Sequence, residues 1–282
     1  MSYWTKKQLL SKKAVEHTEQ MKKTYKKEIE HSIKKTKEYS EDFSYNSLKN
    51  KKNKENQKTT IRLEMLDSVS AIVKYGVTLQ REKSNVDNQD RIAVLNFASF
   101  KHPGGYFIGG SSAQEEALCH ESFLYNVLYE FKDTYYKKNL SKLNNSLYAN
   151  RALYSPDIIF NDNVKCDVIT CACPNKRSAQ MYHRVNDKEN TKVLESRIRF
   201  VLDIAKDNNV DILILGAYGS GVFGQNPEEV ANIFFKLIFE DTHYKFKKII
   251  FAIPSSKKSA SQDKMFDKNY LAFKNVFELY RL

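Results

Sequence analysis

Residues Asn96 to Tyr125 read NFASFKHPGGYFIGGSSAQEEALCHESFLY, and their reading decides the fold. The stretch follows an apolar run, Ile92 to Leu95, with the character of a buried strand. It carries two glycine pairs, Gly104-Gly105 and Gly109-Gly110, and then Gln114-Glu115-Glu116 at the head of an amphipathic run. Glycines permit positive φ and let the backbone approach a ligand closely. In open α/β sheets the carboxyl ends of the strands are where ligands bind. A strand, a glycine-rich loop and a helix opening on carboxylates therefore predict a site.

Upstream of this stretch, residues 5–38 predict a helix whose apolar stripe is Met21, Tyr25, Ile29 and Ile33. Such a stripe among lysines needs a surface to cover, so an extension packed on the main domain is expected. Phe43 to Thr59 reads as a linker, Thr60 to Met65 as a strand, and Asp67-Ser68 as the cap of a short helix ending at Tyr75. Residues 81–90 read as a polar loop.

Downstream, Ala113 to Phe131 predicts one helix and residues 137–150 a polar surface loop. Asp157 to Phe160 and Val164 to Cys173 read as strands, Lys176 to Asn190 as a polar loop with Arg177 and Arg184, and Thr191 to Asn208 as an amphipathic helix. A second strand, Asp211 to Leu215, runs into GAYGSGVFG at Gly216 to Gly224. A helix follows, with Asn226 at its N-cap and Pro227 in its first position. Lys247 to Ile253 predicts a last strand and Gln262 to Leu279 a last helix. Alternating strands and helices imply an α/β three-layer domain. A glycine loop at a helix N-terminus suits an anion, but it lacks the Lys-Ser/Thr of a nucleoside-triphosphate loop. Two such loops imply one ligand with a phosphate end and an end that needs a carboxylate.

The net charge is +12, with 16 Lys/Arg against 8 Asp/Glu in residues 1–60. A solvated lysine-rich face is the favoured reading of that segment, and polyanion contact is the sharper one. No apolar run approaches the ~20 residues of a membrane span, and the N-terminus has no signal-peptide core. The four cysteines, Cys119, Cys166, Cys171 and Cys173, form no CxxC pair. They predict a reducing compartment: cytoplasm, or also the nucleus in a eukaryote. His102, His120 and His183 show no metal constellation, and neither metal nor cofactor is expected.

NFASFKHPGGYFIGGSSAQEEALCHESFLY and GAYGSGVFGQNPEEVA together resemble the microbial-type poly(ADP-ribose) glycohydrolase family. LYSPDIIF with DVITCACPN, and IKKTKEYS near the N-terminus, extend the resemblance over roughly residues 10 to 280. It implies a macrodomain-like α/β/α mixed sheet with an N-terminal helical extension. The extension with its linker would be residues 1–58, and the catalytic, ADP-ribose-binding domain residues 59–282. It implies hydrolysis of the ribose–ribose bond, with poly(ADP-ribose) or ADP-ribosylated protein as partner. Glu116 matches the catalytic acid and Glu115 its positioning companion. The ADP-ribose-binding residues implied are Asn96, Gly104, Gly105, Tyr106 and Gln114, with Ala217, Gly219, Ser220, Gly221, Val222 and Phe223 in the diphosphate loop.

Tyr106 stands where the family carries a third consecutive glycine. A left-handed backbone there implies about 1–3 kcal/mol of strain or a reshaped loop. Two alternatives stay open beside the glycohydrolase: a non-hydrolysing ADP-ribose reader, and a hydrolase of mono-ADP-ribose.

Overall fold

The computed structural model describes residues 3–43, 59–78, 90–240, 244–255 and 261–280. Most of the expected linker, and the polar loop before the central strand, lie outside them. The helices are α1 (Tyr3–Thr24), α2 (Lys26–Lys35), α3 (Ser68–Tyr75), α4 (Gln114–His120), α5 (Leu124–Glu130), the single turn α6 (Lys137–Asn139), α7 (Lys176–His183), α8 (Asp187–Asp207), α9 (Pro227–Glu240) and α10 (Ser261–Leu279). The strands are β1 (Lys37–Tyr39), β2 (Thr60–Glu64), β3 (Val77–Thr78), β4 (Ile92–Phe97), β5 (Ala152–Phe160), β6 (Val164–Cys171), β7 (Ile212–Leu215) and β8 (Lys248–Ala252).

The strands form one sheet in the order β1-β5-β6-β4-β7-β8-β2, with β3 also on β6. The run from β6 to β2 is parallel, while β1, β3 and β5 pair antiparallel. Side chains alternate across each strand. Ala93 and Leu95 therefore enter the core under α8, α9 and α10, and Ile92 and Val94 enter the core under α1 to α5. Helices cover both faces, so the central parallel strands β4 and β7 are buried and largely apolar, whereas the edge strand β2 carries Arg62 and Glu64. This is the expected three-layer α/β/α arrangement.

The N-terminal stripe packs as anticipated, but on two helices that break at Tyr25 and end at Lys35 rather than on one running to residue 38. Ile29 is buried, and Met21, Tyr25 and Ile33 rest against the same core. Ser32 Oγ donates to Pro156 O at 2.7 Å. The segment also supplies β1, an edge strand that periodicity alone did not reveal.

Four expectations need correction. The helix over residues 113–131 is two helices, because Ser122 leaves helical geometry to bridge Phe160. Residues 137–150 are no mere surface loop: Asn139, Leu147 and Tyr148 are buried. β5 starts at Ala152, five residues before the expected strand, and a register shift between Ser155 and Ile158 accommodates Pro156. The stretch after Asn175 is helical as α7, because the Asn175 side chain accepts from Ser178 N at 3.0 Å. α8 likewise begins at Asp187, capped by Asn186.

Candidate functional site

β4 and β7 are parallel neighbours, so the loops that follow them leave the same sheet edge. Phe97 meets Tyr218 with ring centroids 5.5 Å apart, and Phe100 stacks on Tyr148, which contacts Phe223. Aromatic contacts therefore hold the two glycine loops side by side.

In the first loop Gly104 and Gly105 adopt φ of 65° and 63°, and Gly110 one of 80°. Tyr106 is not left-handed, so the expected strain at that position is absent. Its ring lies against Gly109, 58% exposed, with Lys7 Nζ 4.9 Å from its centroid. Ser11 Oγ donates to Ile108 O at 2.6 Å, and a Cβ on Gly110 would stand 2.1 Å from Lys7 O. Helix α1 is therefore seated directly on the loop.

Helix α4 delivers three consecutive side chains in three directions. Gln114 ties the helix to the scaffold: its Oε1 accepts from Phe97 N at 2.8 Å, and its Nε2 donates to Leu95 O and Ser68 Oγ. Glu115 turns to the end of β4, accepting from Ser99 N at 2.7 Å and from Asn96 Nδ2 at 3.2 Å. Glu116 turns to the loop, accepting from Tyr106 N at 2.9 Å and from Ala113 N at 3.0 Å. The roughly 100° step between helical neighbours produces this divergence. The carboxylates meet only at Gly105, where an added Cβ would lie 2.7 Å from Glu116 Oε1 and 2.9 Å from Glu115 Oε2.

Both carboxylates are buried, Glu115 at 3% exposure and Glu116 at 6%. Burial, and to a lesser extent the Glu116 charge, lift Glu115 to a pKa of about 8 against the lowering effect of Ser99 N–H and Asn96. A low-dielectric site containing two carboxyl groups favours retention of a proton. Asn96 itself is fully buried, and its Oδ1 has no partner.

The second loop is shaped by Gly219 at φ 74° and Gly224 at φ 73°. A Cβ on Gly219 would sit 2.3 Å from Cys173 Sγ, whereas one on Gly221 would meet nothing within 4 Å. Ser220 is 8% exposed and its Oγ has no partner. Val222 projects into solvent and Phe223 packs on Tyr148. Ala217 O accepts from Ser220 N at 3.1 Å, closing the turn. Tyr218 is core, its hydroxyl donating to Cys171 O.

Sequence reading missed the groups that fix this loop. Gln225 and Asn190 exchange amide hydrogen bonds, and Gln225 also donates to Pro174 O. Arg197 is fully buried, donating to Asn150 Oδ1 and to the carbonyls of Ala172, Leu147, Tyr148 and Ala149. An arginine inside an amphipathic helix has no sequence signal that tells a carbonyl-binding buried group from a surface one. Among the described residues no cluster of His, Cys, Asp and Glu could hold a metal ion, and no helix is long and apolar enough to cross a membrane.

A search of curated proteins finds no match. Among solved structures, a poly(ADP-ribose) glycohydrolase (PARG) from Thermomonospora curvata superposes with a TM-score of 0.80 at 24% identity. The alignment spans 96% of this chain and 100% of that one. A PARG from Deinococcus radiodurans in complex with ADP-ribose gives a TM-score of 0.74 at 26% identity, over 89% and 97% of the two chains. At this identity the first likeness speaks for the fold alone. Residues 5–162, more than half of the chain and including β4, the first glycine loop and both glutamates, match the family described as "Microbial-type PARG, catalytic domain". The chain belongs to the microbial-type PARG catalytic-domain family.

Proposed function

We propose that this protein hydrolyses the ribose–ribose O-glycosidic bond of poly(ADP-ribose) and releases ADP-ribose. The observation that carries the reading is the pair of buried carboxylates divided by the bare Cα of Gly105. The missing side chain of Gly105 leaves the space between the two carboxylates open. Glu116 serves as general acid, protonating the ribose oxygen that leaves as an oxocarbenium ion develops. Its conjugate base then activates water. Glu115 and Asn96 position the distal ribose, with the unpartnered Asn96 Oδ1 offered to a hydroxyl. The facing carboxylates of most glycosidases would need two separate elements, and here both groups come from one helix.

Ala217, Gly219, Ser220, Gly221, Val222 and Phe223 form the diphosphate seat in this proposal, and Gly104, Gly105 and Tyr106 its opposite wall. The unpartnered Ser220 Oγ and the open space at Gly221 support it. The D. radiodurans complexes with ADP-ribose support the ligand class. We further propose a division into a basic helical extension with its linker, residues 1–58, and an ADP-ribose-binding domain, residues 59–282. Polyanion contact through the extension has its support in the local lysine excess. A cytoplasmic site of action is supported by four buried cysteines, all free thiols.

The test is ADP-ribose release from purified poly(ADP-ribose) by wild type and Glu116→Gln. The proposal expects release by wild type and at least a hundredfold loss in the variant, in line with loss of a general acid. Binding of ADP-ribose without release by wild type would instead make the protein a reader.

A further inference from the structure

Helix α7 flanks the second glycine loop and is absorbed by none of the roles above. Arg177 N donates to Phe223 O at 3.0 Å, and its Cβ stands 3.3 Å from where a Cβ on Gly224 would be. The helix is therefore anchored to the rim of the loop. Lys176 is engaged with Asp187 at 2.8 Å. The Arg177 side chain is exposed and, among the described residues, has no acidic partner. Residues 176–184, KRSAQMYHR, contain no carboxylate. Met181 lies one turn beyond Arg177 on the same face, and it is 65% exposed, with Tyr182 beside it at 72%. An unpartnered guanidinium and an exposed aromatic ring, with the nearby Asp187 already taken by Lys176 and Gln180, fit a ligand that carries phosphates and bases. The neighbouring Ser220 Oγ, buried and unpartnered, marks the adjoining loop as ligand-facing.

We propose that Arg177 and Tyr182 form a specificity-determining subsite for the next ADP-ribose unit of the polymer, beyond the unit in the diphosphate seat. Arg177 takes a phosphate of that unit and Tyr182 offers a face to its adenine. The seat itself meets the bound diphosphate through backbone N–H groups and Ser220, so a cation at the rim serves a second phosphate. This rests on the glycohydrolase reading. It adds a reason for polymer to be preferred over a single ADP-ribose.

Arg177→Ala and Tyr182→Ala are compared with wild type in three measurements. These are kcat and KM for ADP-ribose release from poly(ADP-ribose) at two salt concentrations, ADP-ribose affinity by calorimetry, and release of protein-linked mono-ADP-ribose. The proposal expects KM for polymer to rise about fivefold in Arg177→Ala with kcat held, as for one exposed cation–phosphate contact. The salt slope should become shallower by about one phosphate contact. ADP-ribose affinity and mono-ADP-ribose release should stay unchanged, and Arg177→Lys should recover part of the loss.

Equal weakening toward free ADP-ribose would assign Arg177 to the bound unit and overturn the proposal. So would an unchanged polymer KM, and so would equal loss on mono-ADP-ribosylated protein, which would point to a peptide contact. Wild type that releases nothing from polymer would sink the glycohydrolase reading separately. Fluorescence anisotropy of labelled polymer on Glu116→Gln, with and without Arg177→Ala, would still decide the subsite, and equal affinities there would refute it.

Discussion

Asn190 and Gln225 face each other across buried space and each donates its amide N–H to the other's carbonyl at 2.9 Å. Asn190 belongs to α8 and Gln225 to the end of the second glycine loop. Gln225 N also donates to Gly219 O at 3.0 Å, so the amide pair fixes the turn that contains Ser220 and Gly221. Loop geometry is thus set from a helix that never touches the proposed ligand.

Asn190→Leu removes one member of the pair and leaves the Gln225 amide buried with part of its capacity unmet. Stranding such a group costs about 1–3 kcal/mol. We expect ADP-ribose affinity to fall about tenfold by calorimetry, with Tm lowered by several degrees. Unchanged affinity with lowered Tm would mean that the loop keeps its shape without the pair.

Gly105→Ala tests the gap between the carboxylates. Its φ of 63° alone strains alanine by about 1 kcal/mol. The new Cβ would also stand within 3 Å of both carboxylates, at 2.7 and 2.9 Å. Release of ADP-ribose should drop at least a hundredfold while thermal unfolding stays cooperative. Near-wild-type turnover would show that the carboxylates shift without consequence and that Gly105 does not set the site.

Tyr106→Gly asks whether the departure from three glycines closes the site. Tyr106 does not have a left-handed φ, and its N–H already serves Glu116. The glycine variant should therefore keep polymer turnover within about threefold. It should lose about 0.5–1 kcal/mol of stability, through the freer unfolded chain and the lost Lys7 contact. Activity appearing only in the variant would mean that the ring blocks the cleft.

Much of this fold was legible because its central strands are buried on both faces and so read as continuous apolar runs. Ile92 to Leu95 alternates faces residue by residue. The caps at Asp67 and Asn226 were readable for a local reason too, since each side chain bonds a backbone N–H two or three residues on. The candidate glutamates stood out through the family resemblance carried by Gln114-Glu115-Glu116 together with both glycine loops. Ser122, Asn190 and Arg197 were not, because their partners lie 38, 35 and 25 or more residues away in sequence. No local pattern records a contact of that kind. β1 escaped for a related reason: a three-residue edge strand is too short to show a period.

Ser11→Ala tests whether α1 supports the catalytic loop or only covers the core. The Ser11 hydroxyl donates to Ile108 O at 2.6 Å, and removing it leaves that carbonyl one donor short at a cost of about 1 kcal/mol. Ile108 lies two residues beyond Tyr106, whose N–H holds Glu116. A supporting role predicts a kcat lowered about three- to tenfold with KM for polymer nearly constant. A covering role predicts a lower Tm with kcat unchanged.

The pH dependence of stability isolates Glu115. In the unfolded chain its carboxyl ionises near 4.5, whereas burial holds it at about 8 in the fold. Between these values the unfolded chain has released a proton that the folded chain keeps, so stability falls as pH rises through this window. The stabilising effect of the raised pKa is complete below about pH 4.5 and is lost by about pH 8. At about 1.4 kcal/mol per unit, a rise from 4.5 to about 8 makes the contribution on the order of 5 kcal/mol. Glu115→Gln has no proton to lose. Its carbonyl still accepts from Ser99 N, and a rotated Asn96 amide can present Oδ1 to the new NH2 group. Urea midpoints of the variant should therefore change less between pH 5 and pH 8 than those of wild type, and the variant should be the more stable protein at pH 8. Parallel pH profiles for the two proteins would remove the argument that burial, rather than substrate, keeps a proton on Glu115.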